Sequence, residues 1–177
     1  VITIEPRAFY RCSNLASITI PKNVTTIGEN AFEGCSSLTD IVISYGLPAI
    51  NELAFSNCTA LTSISIPSSV TSIGENAFSG CYALASIDIP NSVISIGDFA
   101  LSGCSSLTAM TIPGSVASFG SNIFAGCTSL KSVELSEGVT SIPENAFQEC
   151  GSLTSIIVPE SVTSIGSGAF RDCESLI

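Results

Sequence analysis

Polar and apolar residues alternate over short stretches that recur along the whole chain. One example is the segment 62–66, Thr-Ser-Ile-Ser-Ile, in which β-branched side chains alternate with small polar ones. This alternation predicts a short strand with one face turned toward a core. The residue that follows, Pro67, lacks a backbone donor, so the strand is expected to end there. A second extended piece, 70–74, follows and closes on Gly74, which permits a sharp turn.

A third piece has helical rather than alternating spacing. Its apolar residues stand at i, i+1, i+4 and i+7, namely Ala77, Phe78, Cys81 and Leu84. A glycine interrupts this face after about one turn, so the spacing predicts a 3₁₀ or short helical turn. An acidic residue, Glu75, precedes the face, where the dipole of such a turn would favour an anion.

The same three pieces recur with a strict period of 23 residues. Each of the eight cysteines lies 23 residues from the next: Cys12, Cys35, Cys58, Cys81, Cys104, Cys127, Cys150 and Cys173. Counted from each cysteine as position 0, position +3 is always Leu, and positions +6 and +8 are aliphatic. A fixed period of this size is typical of stacked repeats. We therefore predict one array over residues 1–177, with partial repeats at both ends and complete repeats at 12–34, 35–57, 58–80, 81–103, 104–126, 127–149 and 150–172.

One such repeat cannot fold by itself. It offers about eight inward side chains, each contributing about 1.5–3 kcal/mol when buried. Ordering its backbone costs on the order of 1–2 kcal/mol per residue, so the repeat needs neighbours. Stacking provides them and pairs the strands in parallel. At about 4.8 Å per strand, seven repeats would form a sheet roughly 35 Å long, with columns of Leu, Phe and Cys.

The repeat pattern C-x-x-L-x-x-I-x-I-P-x-x-V-x-x-I-G-x-x-A-F-x-x-C resembles the BspA-like, or treponemal-type, class of leucine-rich repeats. The residues 74–78, 81–84, 87–90, 93 and 96–97 carry the resemblance well. It implies a right-handed, strand-rich α/β solenoid with a parallel sheet on the concave face and short strands, 3₁₀ or helical turns on the other side. It also implies a secreted or cell-surface bacterial protein that binds other proteins, often host matrix or plasma proteins.

Two repeats depart from this pattern at the end of the first strand. Ser44 and Ser136 replace the proline, and each is followed two residues later by a glycine. The first of these repeats also has Asn51 where the pattern has glycine. A ligand site and neutral variation are both open interpretations of these changes.

Charge and composition narrow the possible functions. The chain has 15 acidic and 5 basic residues, a net charge of −10, and no histidine. Without clustered cations, binding to nucleic acid or to an anionic membrane surface is not expected. The lack of histidine removes histidine-based triads, zinc sites and general bases. No apolar run approaches the roughly 18 residues of a membrane-spanning helix. Serine and threonine, 31 and 14 residues, are expected to cover the surface.

The cysteines and one acidic column are candidate ligand groups. Cysteines in register point the same way, so a disulfide dihedral near 90° is hard to reach, and a zinc site needs ligands that converge. We expect free buried thiols, with neighbouring disulfides or a metal as alternatives. Position +17 is acidic in five repeats: Glu29, Glu52, Glu75, Asp98 and Glu144. Helix-start and solubility roles are expected for it, with a calcium ladder as the alternative. No cofactor and no metal site is predicted.

Positions +5 and +7 of the first strand point outward and form an exposed sheet face. Most of them are small and neutral, and the exceptions are Asp40, Val42, Asp88, Glu134 and Ile157. Tyr45 lies just beyond a strand end, and tyrosine is a frequent hot-spot residue at interfaces. These six residues are the predicted partner-binding candidates; plain solvated surface is the alternative interpretation.

The sequence therefore predicts a non-enzymatic binding module, secreted or on a cell surface, that recognises a protein partner. Catalysis by paired carboxylates is not expected, because Asp88 and Glu134 lie roughly 10 Å apart and no insertion encloses them. A structural spacer is an alternative, and a carbohydrate-binding module is a weaker one because the chain has no Trp and three Tyr. Since the chain begins within a repeat and shows no initiator Met, signal peptide or polar cap, we expect a piece of a longer protein.

Overall fold

The computed structural model describes residues 2–177 and shows a parallel β-solenoid of about seven turns. Val1, the first residue of the predicted array, lies outside the described residues. The described chain contains strands and turns but no helix. The strands are Thr3–Ile4 (β1), Ser17–Ile20 (β2), Thr26–Ile27 (β3), Asp40–Ile43 (β4), Ala49–Ile50 (β5), Ser63–Ser65 (β6), Ser72–Ile73 (β7), Ser86–Asp88 (β8), Ser95–Ile96 (β9), Ala109–Ile112 (β10), Ser132–Leu135 (β11), Ser141–Ile142 (β12), Ser155–Ile157 (β13) and Ser164–Ile165 (β14).

The predicted alternating segment forms the longer strand of each complete repeat, here called the main strand (β2, β4, β6, β8, β10, β11 and β13). In β4, Ile41 and Ile43 are buried while the residues between and before them are exposed, as the alternation predicts. Main strands pair in parallel between residues 23 positions apart, for example Ile18 with Ile41. The predicted strand and its stacking are thus confirmed. The pairing forms three ladders, β2–β4, β6–β8 and β10–β11–β13, rather than one unbroken sheet.

A second row of two-residue strands lies elsewhere on each turn. These strands pair as β1–β3, β5–β7–β9 and β12–β14, and they are shorter than the extended piece that the sequence predicts. Residues 117–119 form no strand, so the row is interrupted between β9 and β12. Phe119 stands there in place of the usual Ile, and it remains buried.

The predicted columns fill the core. Phenylalanine rings stack face to face along the solenoid: the Phe9 and Phe32 centroids are 4.9 Å apart, and those of Phe55 and Phe78 are 5.6 Å apart. Leu101 interrupts the stack, which resumes at Phe124. The leucines at position +3 are fully buried in six repeats: Leu38, Leu61, Leu84, Leu107, Leu130 and Leu153. Each side chain therefore packs against its equivalents in the neighbouring repeats.

The predicted 3₁₀ or helical turn is not confirmed, because the backbone donors of this segment alternate between two kinds of partner. Ala31 donates to the Gly28 carbonyl of its own turn at 3.2 Å, whereas Phe32 donates to the Ala54 carbonyl of the next repeat at 2.9 Å. A helix would need consecutive donors to bond within the segment. The dipole role expected for Glu75 therefore loses its basis.

Two positions of each turn adopt left-handed backbone, which the sequence analysis missed. The first is position +18, occupied by Arg7, Asn30, Leu53, Asn76, Phe99, Asn122, Asn145 and Gly168. The second precedes each cysteine and is occupied by Arg11, Gly34, Asn57, Gly80, Gly103, Gly126, Glu149 and Asp172. Asn and Gly tolerate this conformation best, so the recurring Asn at +18 and the recurring Gly before the cysteine were the available signals.

Candidate functional site

The exposed face of the main strands carries an open cavity of about 530 Å³ that spans β8, β10, β11 and β13. Its outward lining residues are Asp88, Thr111, Glu134 and Ile157 at position +7 and Ser86, Ala109, Ser132 and Ser155 at position +5. A smaller cavity of about 250 Å³ adjoins it across β6 and β8, and Asp88 lines both. The strand register places Thr111 beside Glu134, and Glu134 beside Ile157.

The structure brings three of the six predicted candidates together. Asp88, Glu134 and Ile157 line the larger cavity. Asp40 and Val42 are exposed on β4 and face the same way, but they do not line either of these cavities. Tyr45 is 68% exposed in the turn after β4, beyond the end of the strand. The candidates therefore divide into a central group and a flanking group.

The small residues between these candidates were not singled out from the sequence. Ala109, Thr111 and Ser132 line the cavity because they follow the same outward alternation as Asp88 and Glu134. Sequence reasoning selected large or charged side chains at these positions. The small side chains line the cavity together with the large and charged ones.

Among residues 2–177, the carboxylates of this face have no cationic partner. Within residues 2–177, the ion pair that forms joins Arg171 to Asp172 at 3.7 Å, far along the chain from Asp88 and Glu134. Both carboxylates are exposed to solvent. Their charge is therefore available to a molecule that approaches the face.

The cysteine column has a structural role. Each thiol from Cys35 onward donates to a carbonyl 26 residues earlier; the Cys58 Sγ, for example, lies 3.2 Å from the Phe32 oxygen. That oxygen also accepts the backbone N–H of Cys35 at 3.1 Å. Burial raises the pKa of Cys35 to about 11 and that of Cys81 to about 12. At neutral pH these groups are therefore thiols that join neighbouring repeats, and not thiolate nucleophiles.

The acidic column at position +17 lies on the exposed turns. Its Asp98 carboxylate accepts the backbone N–H of Ser121 in the next repeat at 2.8 Å, a contact that joins two repeats. Among residues 2–177, no group of three or more Cys, Asp or Glu residues is placed to hold a metal ion.

Serine and threonine do more than cover the surface. Thr71 Oγ1 donates to the Pro48 carbonyl at 3.1 Å, and Thr163 Oγ1 donates to the Thr140 carbonyl at the same distance. Ser102 Oγ similarly reaches the Ala125 carbonyl at 3.0 Å. These bonds join residues 23 positions apart, so many of the hydroxyls stabilise contacts between repeats.

The two repeats that lack the strand-ending proline form the same kind of turn after the main strand. Gly46 has φ 143° and donates its N–H to Ser69 Oγ at 3.1 Å. Gly138 has φ 109° and donates to Ser161 Oγ at 3.1 Å. In both cases the glycine and a serine of the next repeat form the turn, which gives the departures a structural explanation.

The fold, the 23-residue register and the stacked Leu and Phe columns define a leucine-rich-repeat solenoid. The chain belongs to the BspA-type family of these repeats: the family model described as "BspA type Leucine rich repeat region (6 copies)" matches residues 2–84 and 48–177. Repeat proteins of this kind typically act as surface protein-interaction modules and are generally non-enzymatic. No curated protein matches the chain. None of the described residues forms a helix that could cross a membrane.

Three solved structures illustrate the similarity. A leucine-rich repeat protein from T. pallidum is 32% identical, with a TM-score of 0.73, over 100% of this chain and 72% of that chain. A leucine-rich cell surface protein from Faecalibacterium prausnitzii is 33% identical, with a TM-score of 0.51, over 98% of this chain and 61% of that one. A leucine-rich repeat protein from Eubacterium ventriosum is 25% identical, with a TM-score of 0.62, over 91% of this chain and 53% of that one.

Proposed function

We propose that this solenoid is a non-enzymatic binding module, secreted or displayed on a cell surface, that takes a protein partner on the exposed face of its main strands. The observation that carries the proposal is the open cavity of about 530 Å³ across four successive repeats. The outward side chains that line it alternate with the buried core residues of the same strands. The face is therefore free to evolve contacts without disturbing the fold.

Two further observations support this proposal. The family is typical of surface protein-interaction modules, and a similar solved protein from F. prausnitzii is described as a cell surface protein. The cavity also lies on the main-strand side, which fits a right-handed, curved solenoid with its parallel sheet on the concave face. Concave solenoid surfaces are extended receptors in other repeat families.

The geometry gives little support for catalysis on this face. Thr111 occupies the equivalent position on the strand between Asp88 and Glu134. The two carboxylates are thus about two strand spacings, roughly 9.6 Å, apart on an open surface. This favours a role in recognition, with Asp40, Val42 and Tyr45 at the flank of the same surface.

Two matched variants, each replacing one exposed alanine by tryptophan, test the face directly. Ala109→Trp places a large ring in the cavity, whereas Ala117→Trp places the same ring at an exposed position of the same repeat that lies outside the cavity. Both variants should fold, because exposed substitutions typically change stability by less than about 0.5 kcal/mol. Circular dichroism and thermal unfolding would check this.

Binding would be measured by surface plasmon resonance against a panel of immobilised extracellular-matrix and plasma proteins. We expect Ala109→Trp to weaken capture by at least about tenfold and Ala117→Trp to leave it within about twofold. The reverse result would place the site on the second-strand side and contradict the proposal. No capture by the unsubstituted chain would favour a structural spacer that holds other domains away from the cell.

A further inference from the structure

The exposed main-strand face carries negative charge in a regular arrangement. Its three carboxylates, Asp40, Asp88 and Glu134, come from β4, β8 and β11, the main strands of the second, fourth and sixth complete repeats. All three are exposed. The outward positions of the seven main strands contain no Lys or Arg; the nearest cation in sequence, Lys131, precedes β11 and lies outside them. The face therefore has a single sign of charge.

Two of these carboxylates lie in line at position +7. Asp88 and Glu134 are separated by Thr111, so their strands are about two spacings, roughly 9.6 Å, apart. Asp40 lies at position +5 and is offset along its strand by one outward step. Beyond Glu134 the next strand presents Ile157, whose side chain is 64% exposed and apolar. Position +7 therefore presents two carboxylates at a defined spacing, Asp88 and Glu134, followed by the apolar side chain of Ile157.

This spacing discriminates between backbone conformations of a bound chain. In polyproline II, side chains three residues apart point the same way and lie about 9.3 Å apart. In a β-strand, same-side positions recur at about 6.7 Å and 13 Å, and residues on one face of a helix lie about 5–6 Å apart at i+3 or i+4 and about 10.5 Å apart at i+7, so polyproline II comes nearest. The polyproline II period matches the roughly 9.6 Å between the carboxylate-bearing strands, and its proline rings are suited to contact with Ile157.

We propose that the molecule bound to this face is a basic segment of the partner protein in the polyproline II conformation, with Lys or Arg at every third residue. This inference rests on the proposed function. Two successive cations of the segment lie over Asp88 and Glu134, the residues between them lie over Thr111, and the apolar residue that follows the second cation contacts Ile157. Charge complementarity gives the orientation and selects against acidic segments.

A synthetic peptide of four Pro-Pro-Lys triplets tests the inference without knowledge of the partner. Its fluorescence anisotropy would be titrated with the whole chain at low salt. The control peptide has the same composition and charge, with its four lysines contiguous at one end. We expect the triplet peptide to bind at least about fivefold more tightly than the control, and its binding to weaken as salt is added.

Two isosteric double variants locate the contact. Asp88→Asn with Glu134→Gln removes both charges at position +7, and we expect it to weaken the triplet peptide on the order of tenfold, since each exposed ion pair contributes up to about fivefold. Glu52→Gln with Glu144→Gln removes two charges from the exposed turns and should change binding less than about twofold. Equal effects of the two variants, or equal binding of the two peptides, would overturn the inference.

The experiments distinguish a failure of this inference from a failure of the proposed function. If Ala109→Trp blocks capture of a matrix or plasma protein while Asp88→Asn with Glu134→Gln does not, the face binds protein but the occupant is not a basic segment, and this inference is wrong. If the triplet peptide depends on Asp88 and Glu134 but protein capture survives Ala109→Trp, the inference on ligand chemistry holds and the proposed docking of that protein is wrong.

Discussion

Replacing Gly97 by alanine should destabilise the array, because this position lies against the backbone of the preceding turn. A Cβ built on Gly97 would lie 2.5 Å from the Glu75 nitrogen and 2.8 Å from the Gly74 carbonyl carbon. Ordinary contacts of this kind are longer than about 3.4 Å, so the two repeats must separate locally by roughly 0.9 Å. The neighbouring backbone atoms cannot rotate away as a flexible side chain would.

The cost follows from the bonds that this separation weakens. Gly97 N–H donates to the Ile73 carbonyl at 2.8 Å, and Asn76 N–H donates to the Asp98 carbonyl at 2.9 Å. Two backbone hydrogen bonds at about 1 kcal/mol each, with about 1–3 kcal/mol for overpacking, give about 3–5 kcal/mol. Asn51 stands at the equivalent position of another repeat and donates from Nδ2 to the Ile27 carbonyl at 2.7 Å, so a Cβ is tolerated where the local path adjusts. We therefore expect a folded but weakened variant, near the lower figure.

Two other glycines provide matched controls for the same substitution. Gly103 has φ 72° and its nearest outside atom would lie 3.7 Å from a Cβ, so Gly103→Ala pays only the left-handed backbone penalty of about 1–2 kcal/mol. Gly151 has no heavy atom within 4 Å of a Cβ, and Gly151→Ala should change stability by less than about 0.5 kcal/mol. Urea unfolding followed by circular dichroism gives all three values. A Gly97→Ala midpoint equal to that of Gly151→Ala would refute the close-approach argument.

Three further outcomes are expected. Thiol titration of the chain denatured without reductant should find close to eight free thiols, and four or fewer would show that neighbouring cysteines pair. Burial raises the pKa of Cys35 to about 11 and those of Cys81 and Cys127 to about 12, against about 9 when unfolded. The contribution of these thiols to the stability of the fold is therefore complete below pH 9 and is lost as pH rises toward 12. A urea midpoint that stays constant from pH 8.5 to 11 would contradict this. Asn76→Ala should lower the free energy of unfolding by about 1 kcal/mol, because the backbone of Asn76 is left-handed (φ 53°). Asn91→Ala, at an exposed residue outside the left-handed set, should lower it by less than about 0.5 kcal/mol. Equal unfolding midpoints of the two variants would refute the assignment.

The features that the sequence predicts well are those that depend on periodicity. Strand alternation and a period of 23 residues are visible in the chain itself, and they determine which side chains share a column. The stack from Phe9 to Phe78 and its interruption at Leu101 follow from that period. The outward positions of Asp88 and Glu134 were predictable for the same reason.

The turn was not predictable in the same way, because its hydrogen bonds join different repeats. The spacing of Ala77, Phe78 and Cys81 is helical, yet every second backbone donor bonds the next turn. The recurring Asn at position +18 and the recurring Gly before the cysteine hinted at left-handed backbone, and Leu53 and Phe99 obscured the first signal. The cavity was likewise hidden, since its lining comes from four strands that stacking brings side by side.

Photo-crosslinking from the exposed face tests the central claim most directly. Thr111→benzoylphenylalanine places the reactive group inside the cavity, and Ala117→benzoylphenylalanine places it on the second-strand side of the same repeat. Each labelled chain would be irradiated with a matrix or plasma protein that the unsubstituted chain captures. We predict a covalent adduct from position 111 and none from position 117. An adduct from position 117 alone would contradict the account.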